Sequence, residues 1–361
     1  MRLRVEPRLI ASRRLTIAVT IGSALLALPI IAVVFLAYGV DPLLAFEKIL
    51  YGAFGNPYSI SETVTKSIPL MLCALGLSLA FETVFYNIGA EGQLLMGAIF
   101  GTWVALKFPG WPAYLLLPTM FVSGLVGGAL WGTVPTLLRV GFETNEVITT
   151  LMMNYIATRV LEYLVYGPWK GEETWGFPYT SRFSASATLP TLGSTRIHYP
   201  TLLVALAAAV LMYVLLSRTK LGFEIRIVGK NPEAAKYLGI SIWKVVFFVV
   251  MVSAGLAGIA GVGEVAGIQH RLRVGISPGY GYTAIIVAWL GRLHPISTVL
   301  VAVLFGGLLV GGEMIQISLG LPFGTIQIFN GIFLLAILSG DFLLRYRVVL
   351  SEEVKGGEMR R

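Results

Sequence analysis

Apolar positions in this chain gather into long runs separated by short polar stretches. Ten such runs fall at about 15–38, 67–85, 88–107, 112–138, 145–165, 200–217, 243–265, 277–291, 295–316 and 325–344. A helix needs about 20 mainly apolar residues to cross roughly 30 Å of hydrocarbon. The pattern therefore predicts an all-α polytopic membrane protein with about ten transmembrane helices. The first run, Leu15 to Gly39, exceeds the ~7–15 apolar residues of a secretory leader, and no small-residue cleavage pattern follows it. An uncleaved helix is expected there. After it, Asp41–Tyr51 reads as a short amphipathic helix and Gly52–Tyr58 as a turn.

Composition sharpens this reading. Of 361 residues, 56% are hydrophobic and 13% charged, with mean hydropathy +0.80. A soluble domain carries about 25% charged residues, so a disordered chain is excluded and the composition argues strongly against a soluble enzyme. The single cysteine, Cys73, excludes an intramolecular disulfide framework and a cysteine-based zinc site. The net charge of +8 reports orientation, not binding to nucleic acid. With ten spans, about two thirds of the 27 Lys and Arg fall on one side. They occupy the N-terminal tail (Arg2, Arg4, Arg8, Arg13, Arg14), the stretch from Arg218 to Lys244, and the C-terminal tail (Arg345, Arg347, Lys355, Arg360, Arg361), joined by Arg139 and Arg292. The other side receives Lys48, Lys66, Lys107, Lys170, Arg182, Arg196, Arg271 and Arg273. Positive charge collects in the cytoplasm, which puts both termini there. The chain then divides into a cytoplasmic tail at 1–14, a membrane domain at 15–345 and a second cytoplasmic tail at 346–361. The membrane domain carries an external loop at 166–199 and a cytoplasmic segment at 218–242. Spans two to five and seven to ten form two groups of four whose first members run in opposite directions, as in an inverted repeat.

Polar residues within apolar runs are costly and face a cavity or the bundle interior. The sharpest cluster is Asn87-Ile-Gly-Ala-Glu91-Gly-Gln93. It reads either as a broken helix along a substrate path, in which Asn87, Glu91 and Gln93 take part, or as a cytoplasmic turn with Asn87 as helix cap. Thr144-Asn145-Glu146 suits a helix start, with Glu146 favoured by the helix dipole. Asn154 lies deeper and is a candidate for a cavity, whereas Arg159 and Glu162 sit three apart and can neutralise each other. In the second half, Glu264 and Glu313 lie near expected outer ends within reach of water. Gln316, Gln327 and Asn330 are uncharged donors and acceptors that suit a polyhydroxylated ligand better than an ion. Glycines at 255, 258, 261, 263, 306, 307, 311 and 312 permit close helix packing.

The stretch from Arg218 to Ser241 is the most organised polar segment. Asn231 caps a short helix with Pro232 at its first position, Glu233 lies in the first turn, Lys236 lies near the end and Gly239 stops it. A capped helix held against the membrane face reads as a docking surface; the alternative is an ordinary loop whose six positive charges, from Arg218 to Lys244, follow the orientation bias.

Three phrases carry a family resemblance: Phe85-Tyr-Asn-Ile-Gly-Ala-Glu-Gly-Gln93, Thr144-Asn-Glu-Val-Ile-Thr-Thr-Leu-Met-Met-Asn-Tyr-Ile156 and Arg226-Ile-Val-Gly-Lys-Asn-Pro-Glu-Ala-Ala235. They resemble the permeases of ABC importers for simple sugars, nucleosides and branched-chain amino acids, and the second is similar to the nucleoside-type branch. Gly279-Tyr-Gly-Tyr-Thr-Ala-Ile285 fits the same pattern, and the similarity runs from about 20 to 345. Ile227 stands where the family commonly has a smaller residue. The resemblance implies a coupling helix region at Gly222–Ile240, with Arg226, Gly229, Asn231, Pro232, Glu233, Ala234, Ala235 and Gly239 meeting an ABC ATPase subunit. It also implies that Asn87–Gln93 flanks the translocation path. The implied partners are that ATPase, a second permease subunit of paralogous type and an extracytoplasmic binding protein, in the plasma (inner) membrane. No G-x-x-x-x-G-K-[ST] loop occurs, so ATP and Mg²⁺ are assigned to the ATPase partner, and this chain carries no cofactor and no catalysis. The expected work is alternating access. A sugar or other small-solute permease, an ion-coupled secondary transporter and a non-transporting membrane scaffold are the alternatives.

Overall fold

Each of the ten apolar runs coincides with a helix in the computed structural model, which describes residues 2–7, 12–322 and 324–351. In chain order the helices are α1 (Arg13–Ala37), α2 (Pro42–Phe54), α3 (Pro57–Glu82), α4 (Ala90–Lys107), α5 (Ala113–Phe142), α6 (Glu146–Tyr166), α7 (Tyr199–Arg218), α8 (Lys220–Lys230), α9 (Pro232–Tyr237), α10 (Ile242–Glu264), α11 (Tyr280–Leu290), α12 (Pro295–Leu319) and α13 (Gly324–Arg345). Among the described residues, six are long and apolar enough to cross a membrane: α3, α5, α7, α10 with its extension to Gln269, α12 and α13. Leu25–Ala37 and Pro42–Phe54, bent by 112°, add a seventh if they form one span. The chain is therefore a multi-pass membrane protein.

Three features depart from the expected pattern. The architecture is not purely helical, because β1 (Arg2–Pro7) pairs antiparallel with β2 (Tyr346–Ser351), Arg2 opposite Ser351. The helix expected at Asp41–Tyr51 continues to Phe54, where Asn56 caps α3 by accepting the Ser59 N–H at 2.8 Å. The segment expected to be cytoplasmic, between α7 and α10, holds a second helix, α8, started by Thr219, whose hydroxyl accepts the Gly222 N–H at 3.0 Å. Arg8, Lys355, Arg360 and Arg361, used in the charge bias, lie outside the described residues.

The chain forms two compact units. In the first, residues 1–46 and 316–361, α1 packs on α13. Phe35 meets Phe46 and Phe329 edge to face, with centroids 5.5 and 5.0 Å apart. In the second, residues 47–315, α10 runs against α3, α4 and α5. The contact is backbone to backbone: a Cβ on Gly97 of α4 would land on the main chain of Gly258 in α10. Lipid supplies no hydrophobic drive between helices, so such close approach gains its stability from dispersion contacts. The long loop after α6 is ordered against the end of α10. Phe183 N–H donates to the His270 carbonyl and Leu189 N–H to that of Ala266, each at 2.9 Å, and Arg271 lies 4.2 Å over the Tyr179 ring.

Candidate functional site

The polar residues buried at the start of α4 form a closed joint. Asn87 and Gln93 exchange amide hydrogen bonds at 3.0 and 3.1 Å. Asn87 Oδ1 also accepts the Gly89 N–H at 2.9 Å. The helix cap itself is Gly89, not Asn87. Asn154 reaches over from α6. Its Oδ1 accepts the Gly92 N–H at 2.8 Å, and its Nδ2 donates to the Ile88 carbonyl at 2.9 Å and to the Tyr282 hydroxyl at 3.2 Å. Thr150 takes the Ile88 N–H at 3.1 Å. The first N–H groups of a helix have no partner in their own helix, and here Asn154 from α6 satisfies that of Gly92.

Glu91 extends the joint to α11. Its carboxylate accepts the Gly281 N–H at 2.7 Å and is hydrogen-bonded by the Ser277 side chain. The first turns of α4 and α11 touch directly, because a Cβ on Gly281 would overlap the main chain of Glu91. Ser277 Oγ in turn accepts from the N–H groups of Gly279 and Tyr280, each at 3.1 Å.

On the other side of that same segment lies a polar cavity of about 260 Å³. Glu62, Thr65 and Lys66 line it from α3, Arg196 from the long loop, Glu264 and Gln269 from the end of α10, and Glu313 from α12. Arg273, Ile276, Pro278 and Tyr280 complete the wall. The α10 helix ends in a π-helical turn, Val265–Gln269, which carries Gln269 to 3.4 Å from the Glu264 carboxylate. Lys66 is paired with Glu313, and Arg196 with Glu62 at 3.1 Å. Three carboxylates thus face three cations. Two buried atoms have no hydrogen-bond partner, the acceptor Glu62 Oε1 and the donor Arg273 Nε.

None of Asn87, Glu91, Gln93 and Asn154 lines this cavity; they hold the helix starts beside it. Gln316 and Asn330 belong to the other compact unit, Gln316 half-buried and Asn330 buried. Sequence reasoning gave no site role to Glu62, Thr65, Lys66, Arg196, Gln269, Arg273 or Tyr280. One signal was available: Lys66, Arg196 and Arg273 fall on the same minority side of the charge bias, where Glu264 and Glu313 also end.

The segment between α7 and α10 has two parts. In α8, Arg226 donates to the Leu216 carbonyl and faces the Glu82 carboxylate, and Gly229 lies against the Glu82 carbonyl at the end of α3. These contacts seat α8 on neighbouring helices. In α9, Asn231 Oδ1 accepts the Ala234 N–H at 3.0 Å, Pro232 takes the first position, and Lys236 pairs with Glu233 at 3.0 Å. Ala235 is buried, while Tyr237 is 91% exposed. Gly239, at φ +72°, ends the helix.

Residues 59–338 match the family described as branched-chain amino acid transport system / permease component. The chain is 36% identical to the glucose ABC transporter permease protein TsgB13 of Haloferax volcanii, across 99% of this chain and 96% of that one. It is 34% identical to the guanosine ABC transporter permease protein NupP of Bacillus subtilis, across 87% and 90%. It is 32% identical to the nucleoside ABC transporter permease protein NupB of Lactococcus lactis, across 91% and 92%.

Proposed function

Because this chain belongs to the branched-chain amino acid transport system / permease component family, we propose that it carries nucleosides, as the permease subunit of an ATP-driven ABC importer. The role of permease subunit, a transport part and not an enzyme, follows from the family. The nucleoside is our reading. The observation that carries it is the polar cavity, whose three carboxylates are matched in number by three cations. Carboxylates and cations equal in number offer an ion no excess of opposite charge, whereas a neutral solute with donors and acceptors can hydrogen-bond to both kinds of group. A nucleobase with its ribose has such groups. The guanosine and nucleoside permeases among the relatives support the same reading.

In this mechanism, ten spans cross the plasma membrane with both termini in the cytoplasm, and the cavity opens outward. An extracytoplasmic binding protein delivers substrate to it. The two groups of four spans are an inverted repeat, in which α4 and α11 hold equivalent places, and their meeting start to start supports that relation. Asn87, Glu91, Gln93 and Asn154 form the joint at which the path opens and closes. ATP and Mg²⁺ act on a separate ATPase that grips α9, and a paralogous permease completes the pore.

A hexose is the second reading, supported by the identity to the glucose permease over nearly the full chain. Variants at the cavity test the site. Glu62→Gln is expected to raise KM for nucleoside uptake by about tenfold or more, the value of a lost hydrogen bond to a charged group, with normal assembly. An unchanged KM would remove the cavity from the path.

A further inference from the structure

A second cavity, of about 450 Å³, lies under the α8–α9 segment and takes no part in the proposed transport path. Two helix starts border it. Lys220 and Leu221 open α8, and Ser241 and Lys244 stand at the cap and first turn of α10. First-turn N–H groups lack intrahelical acceptors and form the positive end of the helix dipole, which favours phosphate. Thr219 caps the start of α8, whereas Ser241 makes no side-chain capping bond to α10. Lys220 is paired with Glu224 at 3.6 Å, and Glu224 also lines the cavity. Among the described residues Lys244 has no ion-pair partner, which leaves one positive charge unspent.

The facing wall is apolar. Phe223, Ile240, Val245 and Phe248 line it, and both Phe rings are exposed. The cavity sits where the apolar helix α10 begins, with the exposed Trp243 beside it. Such a helix end, marked by Trp and Lys, lies at the boundary between hydrocarbon and water.

A phosphate joined to a hydrocarbon chain matches both walls at once. We propose that this cavity binds an anionic phospholipid, with its phosphate over the start of α10 beside Lys244 and an acyl chain along Phe223, Val245 and Phe248. A free phosphate or a soluble nucleotide would leave the apolar wall uncovered. Leu238 and Gly239, at the end of α9, also line the cavity, so the lipid supports the helix offered to the ATPase.

The test is native mass spectrometry of the full chain, purified in detergent within its assembled transporter, with phosphatidylglycerol or phosphatidylcholine added. Phosphatidylglycerol is expected to be retained preferentially. Lys244→Glu, which reverses a charge at the headgroup, is expected to reduce that retention by about tenfold, and Lys244→Arg to preserve it. Equal retention of the two lipids would overturn the proposal, as would an unchanged Lys244→Glu protein. Displacement of phosphatidylglycerol by millimolar inorganic phosphate would also overturn it, because the site would then be one for soluble anions. If Lys244→Glu does not assemble, Lys244→Gln and the wild-type comparison of the two lipids decide the matter.

Discussion

Glu91 accepts the main-chain N–H of Gly281 at 2.7 Å, across a sequence separation of 190 residues. That bond fastens the first turn of α4 to the first turn of α11. Gly281 has no side chain to hold the two apart, so the carboxylate reaches a backbone that already touches its own. Pro278 and Tyr280, on the same short stretch, face the polar cavity. The cavity wall and the joint therefore share one short backbone stretch.

Removing the carboxylate leaves the Gly281 N–H buried without an acceptor. Glu91→Ala is expected to cost about 1–3 kcal/mol, read as a lowered thermal midpoint in detergent. Glu91→Gln keeps an acceptor oxygen and should lose less. Equal losses in the two variants would show that the bond to Gly281 contributes little.

Gly229 lies against the Glu82 carbonyl, which no side chain can share. Gly229→Ala is expected to lift α8 from the end of α3, with insertion into the membrane intact. ATP hydrolysis should persist while uptake falls, a change measured by assaying both in one preparation. Uptake that keeps pace with hydrolysis would contradict the anchoring role given to α8.

Tyr237 projects almost wholly into solvent from a helix whose other end is capped by Asn231. Exposed aromatic anchors dominate many interfaces, and truncating one commonly costs about 2 kcal/mol or more. Tyr237→Ala should therefore weaken capture of the ATPase subunit by about thirtyfold, measured by titration in detergent. The same affinity in both proteins would place the contact elsewhere.

His198, just before α7, packs on Gly267 in the π-helical turn. Burial is the main cause that lowers its pKa to about 4; the charges of Arg196 and His270 act in the same direction, against a hydrogen bond to the Arg196 main chain. The folded state therefore holds the ring neutral, while the unfolded chain binds a proton at its ordinary value of about 6.5. This contribution to stability is present above pH ~6.5 and is lost as pH falls toward 4. The thermal midpoint should drop between pH 7 and pH 5 in the wild type and drop less in His198→Asn. Identical pH profiles would contradict this account.

The helices were legible because a bilayer enforces apolar length, and each apolar run became a helix. The α9 cap was legible because Asn231, Pro232 and Gly239 act within a few residues of one another. Helix α8 was not, since its seat depends on Leu216 and Glu82, which lie on helices distant in sequence or end at the turn before it. The cavity was hidden for the same reason. Glu62 finds Arg196 and Lys66 finds Glu313 only after folding, across 134 and 247 residues, and the π-helical turn that presents Gln269 leaves no local signal. Asn87, Glu91, Gln93 and Asn154 stood out correctly as buried polar residues, but the sequence does not say that they bond one another and the helix starts instead of lining the cavity.

The most direct test is uptake into vesicles that hold this chain, its paralogous permease and its ATPase, with the binding protein outside and ATP within. The account predicts ATP-dependent accumulation of labelled guanosine or adenosine, suppressed by unlabelled nucleosides and indifferent to excess glucose. Accumulation of glucose that nucleosides fail to suppress, or uptake that follows a proton gradient when the ATPase is left out, would contradict it.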